Sequence, residues 1–132
     1  MIGLDTNIVL RVFDRSDPRQ SSAVERLLAE PAEGETYLLN PIVLAEFVWA
    51  LDRAYKTKRA TIADHLDRLL DAPEFVIPFA DEAREATRRY RIGRADFSDY
   101  FIAAINRRLG CRSTLTFDQT AAADDDFTLL GA

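Results

Sequence analysis

Five short apolar runs recur along the chain, with longer stretches of helical periodicity between them. They are residues 1–5 (MIGLD), 36–40 (TYLLN), 74–78 (EFVIP), 113–117 (STLTF) and 127–130 (FTLL). Runs this short, bounded by polar or turn residues, read as buried strands. The intervening stretches read as helices. Ile8, Val9 and Val12 make one face of a helix over 7–13. Asp17-Pro18 supplies a cap and a first-turn proline for a second, reaching about residue 30. Asn40-Pro41 opens a third, to about residue 55. Thr61-x-x-Asp64 resembles a capping box, followed by the stripe Ile62, Leu66, Leu69 and Leu70. Two more helices are expected over 81–91 and 97–109, the last closed by Gly110. Strands alternating with helices imply right-handed crossovers and a mostly parallel sheet covered on both faces, the α/β class. In such sheets ligands bind beyond the carboxyl ends of the strands.

A chain of 132 residues suits one domain, expected over 1–132. A single Cys111 excludes an internal disulfide and a cysteine-based zinc site. The opening MIGLDTN has a charge at position 5 and no long apolar run. It reads as neither a signal peptide nor a membrane span, so the cytoplasm is the expected location. The net charge is −5, from 22 acids against 17 bases, and fifteen of those bases are Arg. That excludes a general polyanion binder, yet Arg suits bidentate phosphate contacts.

The acids stand in telling places. Asp5 ends the first strand, where an N-cap role is the simplest account. Glu46 is the one charge in the apolar run 42–51, and burying an unpaired carboxylate costs several kcal/mol, on the order estimated for a desolvated ion. That favours a ligand or base over a salt bridge. Asp96 and Asp99 straddle the start of an apolar helix, YFIAAI, where capping and dipole effects favour them. Asp118 ends the fourth strand, with Thr116 two residues before it. In a doubly wound sheet these positions converge at one end. Carboxylates so gathered repel one another, and a hard divalent cation with oxygen ligands relieves that repulsion.

The segments GLDTNIVLR, LAEFVWAL, ADFSDYFIAAINRRLGC and TLTFDQ together resemble the PIN-domain endoribonucleases of the VapC toxin type, across essentially the whole chain. The resemblance implies a three-layer α/β/α sandwich around a mostly parallel sheet of four or five strands. It implies an acidic quartet at Asp5, Glu46, Asp99 and Asp118, with Asp96 as an extra metal-binding acid. Thr6, Asn7 and Thr116 match polar positions flanking that site. It further implies RNA hydrolysis by a metal-activated water with Mg²⁺ or Mn²⁺, products with 5′-phosphate and 3′-hydroxyl ends, a VapB-like antitoxin, and a homodimer.

An acidic site must still hold a polyanion. The basic stretches are Arg84, Arg88, Arg89, Arg91 and Arg94, and Arg53, Lys56, Lys58 and Arg59. Most are expected on solvated helix faces, pairing with Glu82 and Glu85. Arg94, nearest the acids, is the preferred RNA contact, followed by Arg11 and Arg15. Trp49 and Phe47 are expected in the core or a subunit contact, and Asp124–Asp126 in a solvated loop. Two other classes share the size and the strand-end acids. A receiver-like phosphoacceptor needs an Asp ending its middle strand and a Lys ending the last. Here EFVIP runs into Pro78-Phe79, and the only lysines are Lys56 and Lys58. An aspartyl phosphatase needs a second Asp two residues after the first, and Asn7 stands there.

Overall fold

The computed structural model describes residues 1–131; Ala132, the last residue of the expected domain, lies outside them. Along the described chain the strands β1 (Ile2–Gly3), β2 (Tyr37–Leu38), β3 (Phe75–Val76), β4 (Thr114–Thr116) and β5 (Phe127–Leu129) alternate with helices. These are α1 (Thr6–Phe13), α2 (Pro18–Ala29), α3 (Pro41–Arg53), α4 (Arg59–Asp71), α5 (Ala80–Ile92), α6 (Phe97–Arg108) and α7 (Gln119–Ala122). All strand pairs are parallel. The α/β class expected from the alternation is the observed one.

The chain packs as two compact units, residues 1–57 with 68–78 and residues 58–67 with 79–132. In the first, β1, β2 and β3 form a three-stranded sheet in sequence order, with Ile2 beside Tyr37 and Tyr37 beside Phe75. In the second, β4 pairs with β5, Thr114 beside Phe127. The hydrogen bonds therefore join the five strands as three and two, not as one sheet of four or five. The strands span two or three residues, fewer than the four- and five-residue apolar runs that marked them.

Local signals set most helix starts. Asp17 accepts from the Arg19 and Gln20 amides at 3.0 and 3.1 Å, and Pro18 occupies the first turn, where its missing N–H costs nothing. Asn40 accepts from the Val43 amide at 3.0 Å and Pro41 follows. Gly110, one residue past the cap of α6, takes φ 100°, a left-handed conformation that glycine enters without a Cβ penalty. One start differs. α4 begins at Arg59, two residues ahead of the Thr61 capping box. One helix was hidden: α7 is a single turn opened by Asp118.

In the first unit the buried side chains include Val9, Leu10, Tyr37, Leu39, Leu44 and Phe47. Each large apolar side chain taken from water contributes about 1.5–3 kcal/mol. Phe13 packs on Phe47 at 5.6 Å between ring centroids. In the second unit, Phe97 touches Tyr90 edge-on at 6.2 Å and Phe101 at 5.3 Å, tying the end of α5 to the start of α6. Ala103, Ala121 and Phe127 bring α6, α7 and β5 together.

Candidate functional site

In the first unit, Asp5 caps α1: its Oδ1 accepts from the Thr6 amide at 2.7 Å. The Thr6 hydroxyl donates to Glu46 Oε1, also at 2.7 Å. One threonine thus links Asp5, just past β1, to Glu46 on α3, forty residues beyond Thr6. Only one oxygen of each carboxylate is engaged by these bonds. Asn7 is exposed in the same turn.

Glu46 is not buried, contrary to expectation. It is exposed on α3, on a face with Ile42 at 70% and Trp49 at 61% exposure, whereas Phe47 is fully buried. Positions 42, 46 and 49 recur at helical spacing on one side, so the apolar run is amphipathic in packing though not in composition. The desolvation argument for Glu46 does not hold. Its bond to Thr6 ties it to the site instead. Trp49 likewise lies outside the core.

In the second unit, Asp96 caps α6 and is exposed; its amide donates to Asp99 Oδ2 at 3.3 Å. Asp118 caps α7, its Oδ1 accepting from Thr120 and Ala121 amides at 2.8 and 3.4 Å. The Asp118 amide donates to Thr116 Oγ1 at 3.0 Å. Burial pushes the Asp99 carboxyl above the ordinary carboxylate range, the Asp96 amide opposes that, and the charges of Asp96 and Asp118 add to the rise. These three acids of the second unit therefore feel one another. Among the described residues no group of three or more His, Cys, Asp and Glu side chains stands in metal-holding geometry. The donor chemistry still suits a hard cation. Burial first, and then the charges of Asp96 and Asp118, disfavour the charged form of Asp99, and a cation there would offset both. Asp118 keeps one oxygen outside its capping bonds.

The bases divide sharply. Arg88 and Arg89 bind Glu85 at 2.7 and 2.8 Å; Arg89 also grips Asp124 at 2.6 Å and Asp126 at 3.3 Å. Arg107 pairs with Asp126. The Asp124–Asp126 run is thus an ion-pair hub at its two ends, not a solvated loop. Arg91 pairs with Asp64 and Asp67 at 2.8 and 2.7 Å. In the first unit, Arg11 donates to Gln20, Asp14 and Tyr55, and Arg15 pairs with Glu25. Among the described residues Arg94 has no ion pair; it is exposed. It lines a hollow of about 410 Å³ with Tyr100, Gln119 and Thr120, the residues that follow Asp99 and Asp118.

Sequence reasoning missed Arg59, which it placed on a solvated face. Its guanidinium donates to the carbonyls of Tyr90, Ala95 and Arg94 at 2.8, 2.8 and 3.1 Å. Its Cζ lies 4.1 Å from the centre of the Tyr90 ring. No local signal marks such a residue, because its acceptors are backbone groups more than thirty positions away.

Among curated proteins none matches the chain. The family model of the PIN domain matches residues 2–126, which include all five candidate acids and leave the receiver-like alternative unsupported. PIN domains are typically metal-dependent nucleases. By that match, the chain belongs to the PIN-domain family.

Proposed function

We propose that the protein is an endoribonuclease toxin of the VapC type. It hydrolyses RNA phosphodiester bonds with Mg²⁺ or Mn²⁺, is held inactive by a VapB-like antitoxin, and works in the cytoplasm as a homodimer. The observation that carries the reading is the match to the PIN family over residues 2–126, which takes in Asp5, Glu46, Asp96, Asp99 and Asp118. The four motif segments that resemble VapC toxins support the finer assignment. No helix among the described residues is long and apolar enough to cross a membrane.

Asp5, Glu46, Asp99 and Asp118 are the metal-holding and catalytic acids, with Asp96 as an added ligand. These acids would hold a divalent cation, whose chemistry there would be Lewis-acid activation of water and neutralisation of charge on the phosphoryl oxygens. The protein's own groups orient the acids. Thr6 fixes Glu46 through its hydroxyl and Asp5 through its amide. Thr116 holds the backbone of Asp118. Arg94, uncommitted to any acid, contacts an RNA phosphate, and the hollow beside it admits a neighbouring nucleotide. Arg11 and Arg15 rank below it, since both already have partners. Asn7 remains a supporting polar group of the first turn.

The test is cleavage of single-stranded RNA by wild type and Asp99→Asn, with Mn²⁺ and with EDTA. Wild type is expected to cut only with metal, leaving 5′-phosphate ends. The variant, equally folded, is expected to lose at least about 100-fold in rate, the scale of one lost electrostatic contact in an active site. A folded Asp99→Asn that cuts at the wild-type rate overturns the assignment.

A further inference from the structure

We propose that Arg59 is a positioning residue for the acid-bearing turn between α5 and α6, an inference that rests on the assignment of Asp96 and Asp99 to the metal-dependent chemistry. Three backbone carbonyls meet its guanidinium. Tyr90 O, at 2.8 Å, belongs to the last turn of α5, where helix carbonyls lack an in-helix partner. Arg94 O at 3.1 Å and Ala95 O at 2.8 Å belong to the connection that follows. The next residues are Asp96, the cap of α6, and then Asp99 in its first turn.

The clamp has a second layer. The guanidinium lies over the Tyr90 ring at 4.1 Å, and that ring meets Phe97 edge-on at 6.2 Å. Ala95, whose carbonyl Arg59 holds, sends its amide to the Tyr100 hydroxyl at 3.3 Å. One cation therefore fixes the exit of α5, both carbonyls ahead of Asp96, and the aromatic pair that spaces the two helices. Among the described residues Arg59 has no ion pair, so its hydrogen bonds go to these carbonyls. Charge-assisted bonds are the stronger class, and a planar fork spans three acceptors that a lysine ammonium cannot reach together.

Fixing this backbone does two things for the chemistry. It sets where the Asp96 amide stands, and that amide donates to Asp99 Oδ2. It also anchors Arg94 by its carbonyl, leaving the Arg94 side chain free towards the hollow it lines. Arg59 acts through these groups and touches no substrate itself.

The experiment compares wild type, Arg59→Lys, Arg59→Met and Asp99→Asn by hydrogen exchange, by Mn²⁺-dependent RNA cleavage, and by rescue with low-millimolar guanidinium against equal NaCl. Expected for Arg59→Met is faster exchange in residues 93–100 but not in residues 6–13. Its kcat should fall about 10–100-fold and the Mn²⁺ concentration for half-maximal rate should rise, with guanidinium, not NaCl, restoring part of the rate. Arg59→Lys should lie between the two and settles the matter if Arg59→Met does not fold. Unchanged exchange over 93–100 in the folded variants overturns the clamp whatever the RNA result. Faster exchange with wild-type kcat and Mn²⁺ dependence overturns its role in positioning. If Asp99→Asn cuts normally while exchange in Arg59→Met still rises, the assignment of Asp99 to the chemistry fails and the clamp does not.

Discussion

Gly93 closes α5, and a methyl group there has nowhere to go. A Cβ built on its backbone falls 2.0 Å from the Tyr100 hydroxyl oxygen, 3.0 Å from its Cζ and 2.9 Å from the Arg89 carbonyl. The backbone itself is not the obstacle: φ −99° and ψ −166° are extended values that alanine adopts freely. Gly93→Ala should therefore gain the usual ~0.4–1 kcal/mol from a stiffer unfolded chain. Against that, overpacking costs about 1–3 kcal/mol. Displacing Tyr100 also strips the buried Ala95 amide of its acceptor, worth about 1–3 kcal/mol more. The net expectation is a loss of about 1–5 kcal/mol. With an unfolding entropy near 2.1 cal/mol/K per residue, each kcal/mol moves the Tm of a 132-residue chain by roughly 3–4 °C. Gly93→Ala should thus melt about 4–18 °C lower. The decisive assay is a double-mutant cycle by calorimetry and urea titration. Tyr100→Phe removes the nearest colliding atom, so Gly93→Ala should cost at least about 1 kcal/mol less in that background. The Arg89 carbonyl contact remains, so recovery is partial. A Gly93→Ala that melts with wild type, or costs that add within about 0.5 kcal/mol, refutes the reasoning.

Two further outcomes follow from particular contacts. Thr6→Val removes the hydroxyl that holds Glu46 and leaves the Asp5 cap intact, since that cap uses the Thr6 amide. RNA cleavage should fall about 10-fold or more, the scale of a supporting shell around a metal ligand, with Tm shifted by only a few degrees; unchanged cleavage removes Thr6 from the site. Glu85 is held down to about 2 by its bonds from Arg88 and then Arg89. Its folded value lies below its ordinary 4.5, so its contribution is present above about pH 4.5 and is lost as pH falls towards 2. The urea midpoint of Glu85→Gln should therefore lie below wild type at pH 6 and approach it by pH 3; parallel curves count against the pairing.

Much of this molecule is local, and what is local was legible in the sequence. A helix start needs only a side chain able to accept from an amide two or three residues on. Asp17-Pro18, Asn40-Pro41 and Asp5 therefore announced α2, α3 and α1, and Gly110 announced the end of α6. The five strands followed from apolar runs of the right length. Two candidate acids were visible for the same reason: Asp5 and Asp96 are helix caps, a role that charge and spacing reveal, whereas Asp118 was marked by ending a strand and its cap on α7 was hidden. Glu46 was singled out by its apolar neighbours, and the residue survives as a candidate through a different contact, the Thr6 hydroxyl.

Tertiary structure alone decided the rest. Which strands exchange hydrogen bonds depends on approach between segments tens of residues apart, and strands this short carry too little pattern to specify it. Which side of α3 meets the core depends on what packs against it, so composition misjudged the burial of Glu46 and could not choose between core and subunit contact for Trp49. Arginine is the clearest case. Fifteen are chemically alike in the sequence, yet folding commits Arg89 and Arg107 to the acids before β5, Arg91 to α4, and Arg59 to backbone carbonyls, while Arg94 has no ion pair among the described residues. A guanidinium takes its role from whichever acceptors the fold brings within about 3 Å, and that distance is not written in the order of the residues.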